Sequence, residues 1–330
     1  MQPIGIIANP ASGKDIRRLV AYGSVFDNNE KVNIVRRVLL GLEALGVREV
    51  WFMPDFFGIG PRAVEDLKVS FKTRFLPVPV EGTQEDSTLA AGMLRDMNAA
   101  CLVTLGGDGT NRAVAKACGE MPLLPISTGT NNVFPAMIES TLAGLAAGVL
   151  CAHPEYRSDC LRRTPRLEIR SDGRLLDLAL VDVVVTKAGF VGSRALWDVE
   201  AIREMFLARA EPGHIGFSSV GGHLDGLEHR PGQGLHLKLG QGGRRVLAPI
   251  APGLIRWVPI QTHRVFLPGE EIPLSRTPAL VALDGERELT IKAGESCTVS
   301  LNLEGPWVVD LGLTLGRAAA EGLFTAPLST

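Results

Sequence analysis

The chain is poor in the features that mark several large protein classes. Its five cysteines, Cys101, Cys118, Cys151, Cys160 and Cys297, are odd in number, scattered and free of any CxxC pair. That argues against a disulfide framework and for a reducing compartment. Six histidines, His153, His214, His223, His229, His236 and His263, show neither HxH nor HExxH spacing, so no side-chain cluster for a transition metal is expected. There is no GxSxG elbow, and Ser218 and Ser219 have no obvious base, which disfavours acyl-transfer hydrolysis. An excess of one charge is also missing. The 34 basic and 36 acidic side chains are interspersed and leave a net charge of −2, so neither nucleic acid nor an anionic membrane is an expected partner. The longest apolar stretch, 142–152, is too short to span a bilayer. The opening MQPIGIIANP lacks a basic n-region, and a cytoplasmic protein is expected.

At 330 residues the chain exceeds the usual single-domain size, so two domains are the expectation. Helix-like and strand-like segments alternate in the first half, whereas the second half holds short β-type runs separated by Gly and Pro. This predicts an α/β domain followed by a β-rich one. The expected division is 1–138 for an α/β nucleotide-binding domain, with 310–330 folding back on it, and 139–309 for a β-rich substrate and oligomerisation domain. Strands are predicted at 4–8, 48–53, 75–80, 101–106 and 121–126. Helices are predicted at 33–45, from an Asp86-Ser87 cap through Met97, at 142–151 as a connector, and at 197–209. In the second half 174–187 reads as one β run, and 279–291 as a hairpin turned at Asp284-Gly285.

The stretch around which the rest is arranged is 101–112, CLVTLGGDGTNR. An apolar strand stops in two glycines, an aspartate, a third glycine and a threonine, and a helical pattern follows. Strands of this kind end at the sheet edge where open α/β folds bind ligands. Glycines there let backbone N–H groups approach a phosphate, and the helix start adds partial positive charge. Two further small, polar loops follow predicted strands. One is Asn9-Pro10-Ala11-Ser12-Gly13-Lys14, which is not a P-loop because Asp15 stands where Ser or Thr would bind magnesium. The other is Ser127-Thr128-Gly129-Thr130-Asn131-Asn132. Gly58 to Ala63 formally fits a dinucleotide fingerprint, but no acid placed for a ribose follows it.

Three phosphate-type loops suit phosphoryl transfer, which needs backbone donors for phosphate, a metal to neutralise charge and a base to orient the acceptor hydroxyl. Asp108 is the best-placed acid, its alternative role being a turn aspartate. Asp182 lies inside the apolar run 178–185, where a carboxylate either satisfies neighbouring backbone or grips a ligand hydroxyl. Asp284 reads from spacing alone as a hairpin residue.

The motif Leu105-Gly106-Gly107-Asp108-Gly109-Thr110, preceded by Asn9 to Lys14 and followed by Pro125 to Asn132, resembles the NAD kinase and diacylglycerol kinase superfamily. The second half agrees in order. Leu178 to Val183 is similar to the strand bearing an Asn-Glu pair in NAD kinases, 215–222 to their Ser/Thr/Gly substrate segment, 247–254 to their Pro-containing β segment, and Leu283-Asp284-Gly285 to their late Asp-Gly turn. Within the superfamily the chain is similar to the acetoin-catabolism protein X group, and Phe190 to Trp197 is part of that likeness.

The resemblance implies an α/β domain plus a β-rich domain with the active site between them, ATP and Mg2+ as cofactors, and a homodimer or homotetramer. It implies Asp108 as base or magnesium partner. Nucleotide and phosphate contacts would come from Asn9, Ser12, Gly13, Lys14, Gly106, Gly107, Gly109, Thr110, Asn111, Thr128, Gly129, Thr130, Asn131 and Asn132. Substrate contacts would come from Asp182, Ser218, Ser219 and Asp284. The acceptor by resemblance is NAD. Val181-Asp182 replaces the Asn-Glu pair, which loses an amide and shortens the acid, so a small hydroxy metabolite linked to acetoin catabolism and a catalytically weak nucleotide-binding regulator stay open as alternatives.

Overall fold

The first half of the chain lays down five parallel strands, and everything else is positioned from them. A computed structural model describes residues 1–12, 21–24, 26–187, 199–227 and 230–326; Gly13, Lys14 and the Phe190 to Trp197 segment lie outside them. In chain order the elements are β1 (Ile4–Ala8), α1 (Asn28–Ala44), β2 (Glu49–Phe52), α2 (Ile59–Val64), β3 (Lys72–Phe75), α3 (Gln84–Asp96), β4 (Cys101–Gly106), α4 (Asp108–Ala115) and β5 (Leu123–Ser127). The strands are ordered β3-β2-β1-β4-β5. Every residue of β1, β4 and β5 is buried, as expected for central parallel strands covered by helices on both faces. The direction of winding reverses between β1 and β4, which makes their carboxyl ends the switch point where open sheets bind ligands.

The chain continues through α5 (Ser140–Ala152), α6 (Arg157–Cys160), β6 (Leu161–Arg163), β7 (Arg166–Ser171), β8 (Arg174–Ala179), β9 (Asp182–Lys187), β10 (Ile202–Leu207), α7 (Phe217–Gly222), β11 (Gly234–Ala251) and β12 (Leu254–Phe266). It ends with β13 (Ile272–Pro273), β14 (Ala279–Leu283), β15 (Glu286–Ile291), β16 (Cys297–Asn302), β17 (Trp307–Val309) and α8 (Leu311–Ala320). Strands β17 and β6 extend the first sheet beyond β5, and α8 packs against α5. The second body holds an antiparallel sheet β12-β11-β10-β9-β14-β15 and a smaller sheet β13-β16-β7-β8. A core containing Leu167, Val183, Phe206, Val281 and Val299 joins the two.

Several expectations are corrected. By sheet membership and packing, α5, β6 and β17 go with the first sheet: α5 packs on α1, and β17 and β6 continue the sheet beyond β5. The 142–151 helix is no mere connector. It crosses α1 so closely that a Cβ on Gly144 would lie 2.2 Å from the Val38 carbonyl oxygen. The third strand ends at Phe75, before Pro77 and Pro79, which cannot donate to a ladder. Helix α3 starts at Gln84; Asp86 is no N-cap but accepts from the Glu81 and Gly82 N–H groups, closing the turn before the helix. The 174–187 run divides at Leu180-Val181 into strands of different sheets. Within the predicted helix 197–209, the described residues form β10, a central strand. Met205 and Leu207 face the core under α7 while Phe206 faces the other core, so alternation was hidden by apolar residues on both faces.

Candidate active site at the switch point

The loops after β1, β4 and β5 meet. Asn9 leaves β1 and donates from Nδ2 to Thr110 Oγ1 at 3.0 Å, while the Ser12 and Thr128 hydroxyls lie 3.1 Å apart. The Thr128 N–H donates to the Gly106 carbonyl at 3.3 Å. Gly107 is needed at this junction, since a Cβ there would stand 2.7 Å from Asn132 Oδ1. Asn132 in turn donates to Ser127 Oγ at 2.8 Å and to the Gly129 carbonyl at 3.2 Å. Thr130 exchanges backbone and side-chain bonds with Ser24. The segment around Tyr22 binds the β11–β12 hairpin tip, its N–H donating to the Pro252 carbonyl at 2.9 Å. The long hairpin thus closes one side of the crevice.

Asp108 is the first residue of α4 and largely buried. Its carboxylate accepts from the Phe134 N–H at 2.7 Å and from the Val133 N–H at 3.1 Å. The acid is therefore aimed by the backbone that follows the third loop. Asn111 lies in the first turn of α4. Fully buried, it donates to the Gly107 carbonyl at 2.9 Å and accepts from Thr104 Oγ1 at 2.7 Å, so it braces the loop from below. Asn131 stays half-buried at the loop surface.

The expected substrate contacts lie in the second body and turn inward. Asp284, at φ 50° in the Asp-Gly turn between β14 and β15, accepts from the N–H groups of Leu180, Val181 and Asp182 at 2.8 to 3.2 Å. Burial pushes its carboxyl above the ordinary range, although Arg112 and those N–H groups pull it down. It holds the β8–β9 corner. Asp182 is buried at the start of β9 with its carbonyl accepting from the Asp284 N–H at 3.0 Å. Ser218 and Ser219 are fully buried and donate to the carbonyls of Arg209 and Gly216, each at 2.6 Å. Ser218 does have a histidine beside it, with His214 Nδ1 at 2.9 Å, contrary to the expectation of no base. Its proton is already committed to a backbone carbonyl.

Sequence reasoning missed two cations. Lys31 on α1 is buried, and its ammonium donates to the carbonyls of Asn9 and Ser12, each at 2.9 Å. It shapes the first loop from behind. Its signal was the spacing Lys31, Val35, Val38, Leu39, Leu42, which continues the apolar stripe back by one turn. Arg209, just after β10, lies over the Phe134 ring at 5.0 Å. The helical pattern of 197–209 gives it no mark in the sequence. Burial pushes its guanidinium below its ordinary value, and Asp108, Glu211 and Asp284 only partly restore it.

Among the described residues, no group of three or more His, Cys, Asp and Glu is arranged to hold a metal. The donors in the crevice are oxygens with Asp108 as the carboxylate, a set that suits magnesium held mainly by phosphate oxygens and water.

A 3-2-1-4-5 sheet with loops meeting at its switch point, joined to an antiparallel β body, is a two-domain fold of the NAD kinase-like kind. Residues 4–153 match the family described as ATP-NAD kinase N-terminal domain, and residues 165–304 match the acetoin catabolism protein X C-terminal domain. The chain is 36% identical over 334 residues to acetoin catabolism protein X of Cupriavidus necator, covering 97% of this chain and 93% of that one. It belongs to the acetoin catabolism protein X family. Its fold is similar to that of yeast NADH kinase complexed with NADH, with a TM-score of 0.50 and 14% identity over 100% of this chain and 90% of that one.

Proposed function

We propose that this chain is an ATP- and magnesium-dependent kinase that phosphorylates a hydroxyl of a small molecule. The observation that carries the reading is the meeting of the Asn9, Gly107 and Thr128 loops at the β1/β4 switch point, with Asp108 starting the helix beside them. ATP with magnesium supplies the transferable phosphoryl group and neutralises its charge. The loop amides and hydroxyls of Asn9, Ser12, Thr110, Thr128 and Asn132 hold the phosphates. Asp108, aimed by the Val133 and Phe134 N–H groups, orients the acceptor hydroxyl and takes its proton as the oxygen–phosphorus bond forms and the bond to the ADP leaving group breaks. Little intrinsic basicity is needed, since a loose transition state releases that proton late.

The acceptor that family membership suggests first is NAD. Incubation with ATP, magnesium and NAD tests it: formation of NADP is expected, and its absence at high enzyme, with ATP bound, sinks this acceptor. A second reading is a small hydroxylated metabolite linked to acetoin catabolism. It is favoured by Val181, which sits where NAD kinases carry an amide and is buried with Leu178, Leu180 and Phe134 in an apolar cluster. ADP release with small hydroxy compounds but not with NAD is its expected result. ATP binding without consumption under any of these conditions would instead make the chain a nucleotide-binding regulator. We place the protein in the cytoplasm as a homo-oligomer, to be checked by fractionation and light scattering.

A further inference from the structure

A cavity of about 390 Å³ is lined from both bodies, with Phe134 and Arg209 in its wall. Its walls are apolar where β5, β17 and the start of α8 contribute Leu124, Val308 and Leu311, and where the third loop contributes Phe134. Its charged lining is Arg162, Asp310 and Arg209. Arg162 and Asp310 neutralise each other, with Nε and Oδ2 2.6 Å apart, and Asp310 also accepts from Leu313 N–H at 2.9 Å to cap α8. Arg209 is different. Its Nε donates to the Leu180 carbonyl at 3.4 Å and it lies over the Phe134 ring, while Asp108, Glu211 and Asp284 act on it as charges without closing an ion pair to it among the described residues. Arg209 is thus the cavity's cation without an ion pair, set among apolar walls. Burial weakens it as a cation more than those three carboxylates strengthen it, a cost that an anion in the cavity would offset. The volume is at the low end of ligand clefts, which run from about 300 to 1,000 Å³.

We propose that this cavity is the acceptor pocket and that Arg209 takes an anionic end of the acceptor. The substrate class is a small hydroxylated compound with a short hydrocarbon body and a carboxylate or phosphate at one end. Phe134 carries the geometry: its ring is the floor under Arg209, and its N–H is the donor that aims Asp108. The pocket's role in catalysis rests on the phosphoryl-transfer reading, whereas its affinity for anions does not.

The test separates the two. The full chain is titrated with butyrate, butyl phosphate and 1-butanol at constant ionic strength, with binding followed by ligand NMR and by the melting midpoint, in wild type, Arg209→Met and Arg209→Lys. At least one anion is expected to bind, with 1-butanol binding far more weakly. Arg209→Met is expected to weaken the anion by about tenfold or more, the loss of a charge-assisted pair, and Arg209→Lys to keep part of it. The butyrate and butyl phosphate arms tell a carboxylate site from a phosphate site. Absence of anion binding by wild type, equal binding by Arg209→Met, or equal binding of 1-butanol overturns the proposal. Should Arg209→Met fail to fold, anion binding by Arg209→Lys that matches 1-butanol binding overturns it as well. ADP release with 4-hydroxybutyrate and with glycerol is then measured. Arg209-dependent anion binding with no ADP from any hydroxy compound leaves the pocket standing and the kinase reading refuted. ADP release that ignores both anionic groups and Arg209 does the reverse.

Discussion

Lys31 offers the sharpest test of how the first loop is built. Its ammonium bonds the Asn9 and Ser12 carbonyls at 2.9 Å each and Asn28 Oδ1 at 3.2 Å. Lys31→Met keeps most of the buried stem and removes the donor. Asn9 O would still receive the Ser12 hydroxyl at 2.8 Å and the Ser12 N–H at 3.3 Å, so the loss falls mainly on the Ser12 carbonyl. A buried acceptor stripped of its donor costs about 1–3 kcal/mol. Relief of the ammonium's own desolvation works the other way, but it is the smaller effect here, because the clustered oxygens repel one another once the cation is gone. If that strain is released by loosening 9–12, the same energy is withdrawn from phosphate binding, which corresponds to a rise of about 5- to 150-fold in the KM for ATP. The melting midpoint should fall by about 2 to 10 °C. Steady-state kinetics against ATP, with ATP titration as a check on binding, together with a thermal melt, measure both. An ATP affinity within about twofold of wild type and an unchanged melt would refute the view that Lys31 shapes the nucleotide loop.

Asp108→Asn retains an oxygen for the Val133 and Phe134 N–H groups, so it should fold normally and bind ATP, while kcat falls by about 10²- to 10⁴-fold; a fully active variant would remove Asp108 from the reaction. Gly144→Ala puts a methyl 2.2 Å from a backbone oxygen that cannot swing aside. Overpacking of about 1–3 kcal/mol should outweigh the helix-propensity gain of about 1 kcal/mol, and a melt at or above wild type would contradict the close α1–α5 crossing. Burial pushes Glu204 up, but bonds with His236 and with the Ser275 N–H and hydroxyl more than reverse this and leave it below the ordinary carboxylate value. A lowered folded value gives stability that is present above the unfolded carboxylate range and lost as pH falls through the folded value. Glu204→Gln should therefore melt below wild type near neutral pH, with the gap closing in acid; a gap that does not change with pH would count against the pair.

The parallel sheet and its three loops were legible because buried strands ending in Gly, Asn and Ser leave a one-dimensional trace: an apolar run, then small polar residues. The Asp284-Gly285 turn was legible too, but not what its carboxylate does. That depends on the backbone of 180–182, about a hundred positions away in sequence, folding over it. Ser218 and His214 stand four residues apart in plain view, yet it takes the turn that leads into α7 to bring their atoms to 2.9 Å. Strand β10 failed for a different reason. Its run Met205-Phe206-Leu207 is apolar on both faces because two cores sandwich it, so no period of two survives in the sequence, and Arg209 just after it goes unmarked too. Lys31 could have been read, since a lysine in register with a buried stripe must find acceptors.

The same long-range bonds explain how Asp108 keeps its place relative to the second body. Helix α4 begins at Asp108, and one turn later Arg112, fully buried, donates from Nη1 to Asp177 on β8 at 3.1 Å and from Nη2 to Gln84 Oε1 at 3.0 Å. Gln84 passes the contact on, donating to Glu286 Oε2 at 2.8 Å at the start of β15. Gly109 lets that carboxylate approach, as its absent Cβ would stand 3.1 Å from Glu286 Oε1. Lys116 adds a second cation to Asp177 at 2.9 Å. Rocking the second body away from α4 would break the buried Arg112 pair at about 3–5 kcal/mol. The crevice is thus held in place at its Asp108 side by side-chain bonds, whereas at Pro252 the hairpin tip meets Tyr22 through a backbone bond.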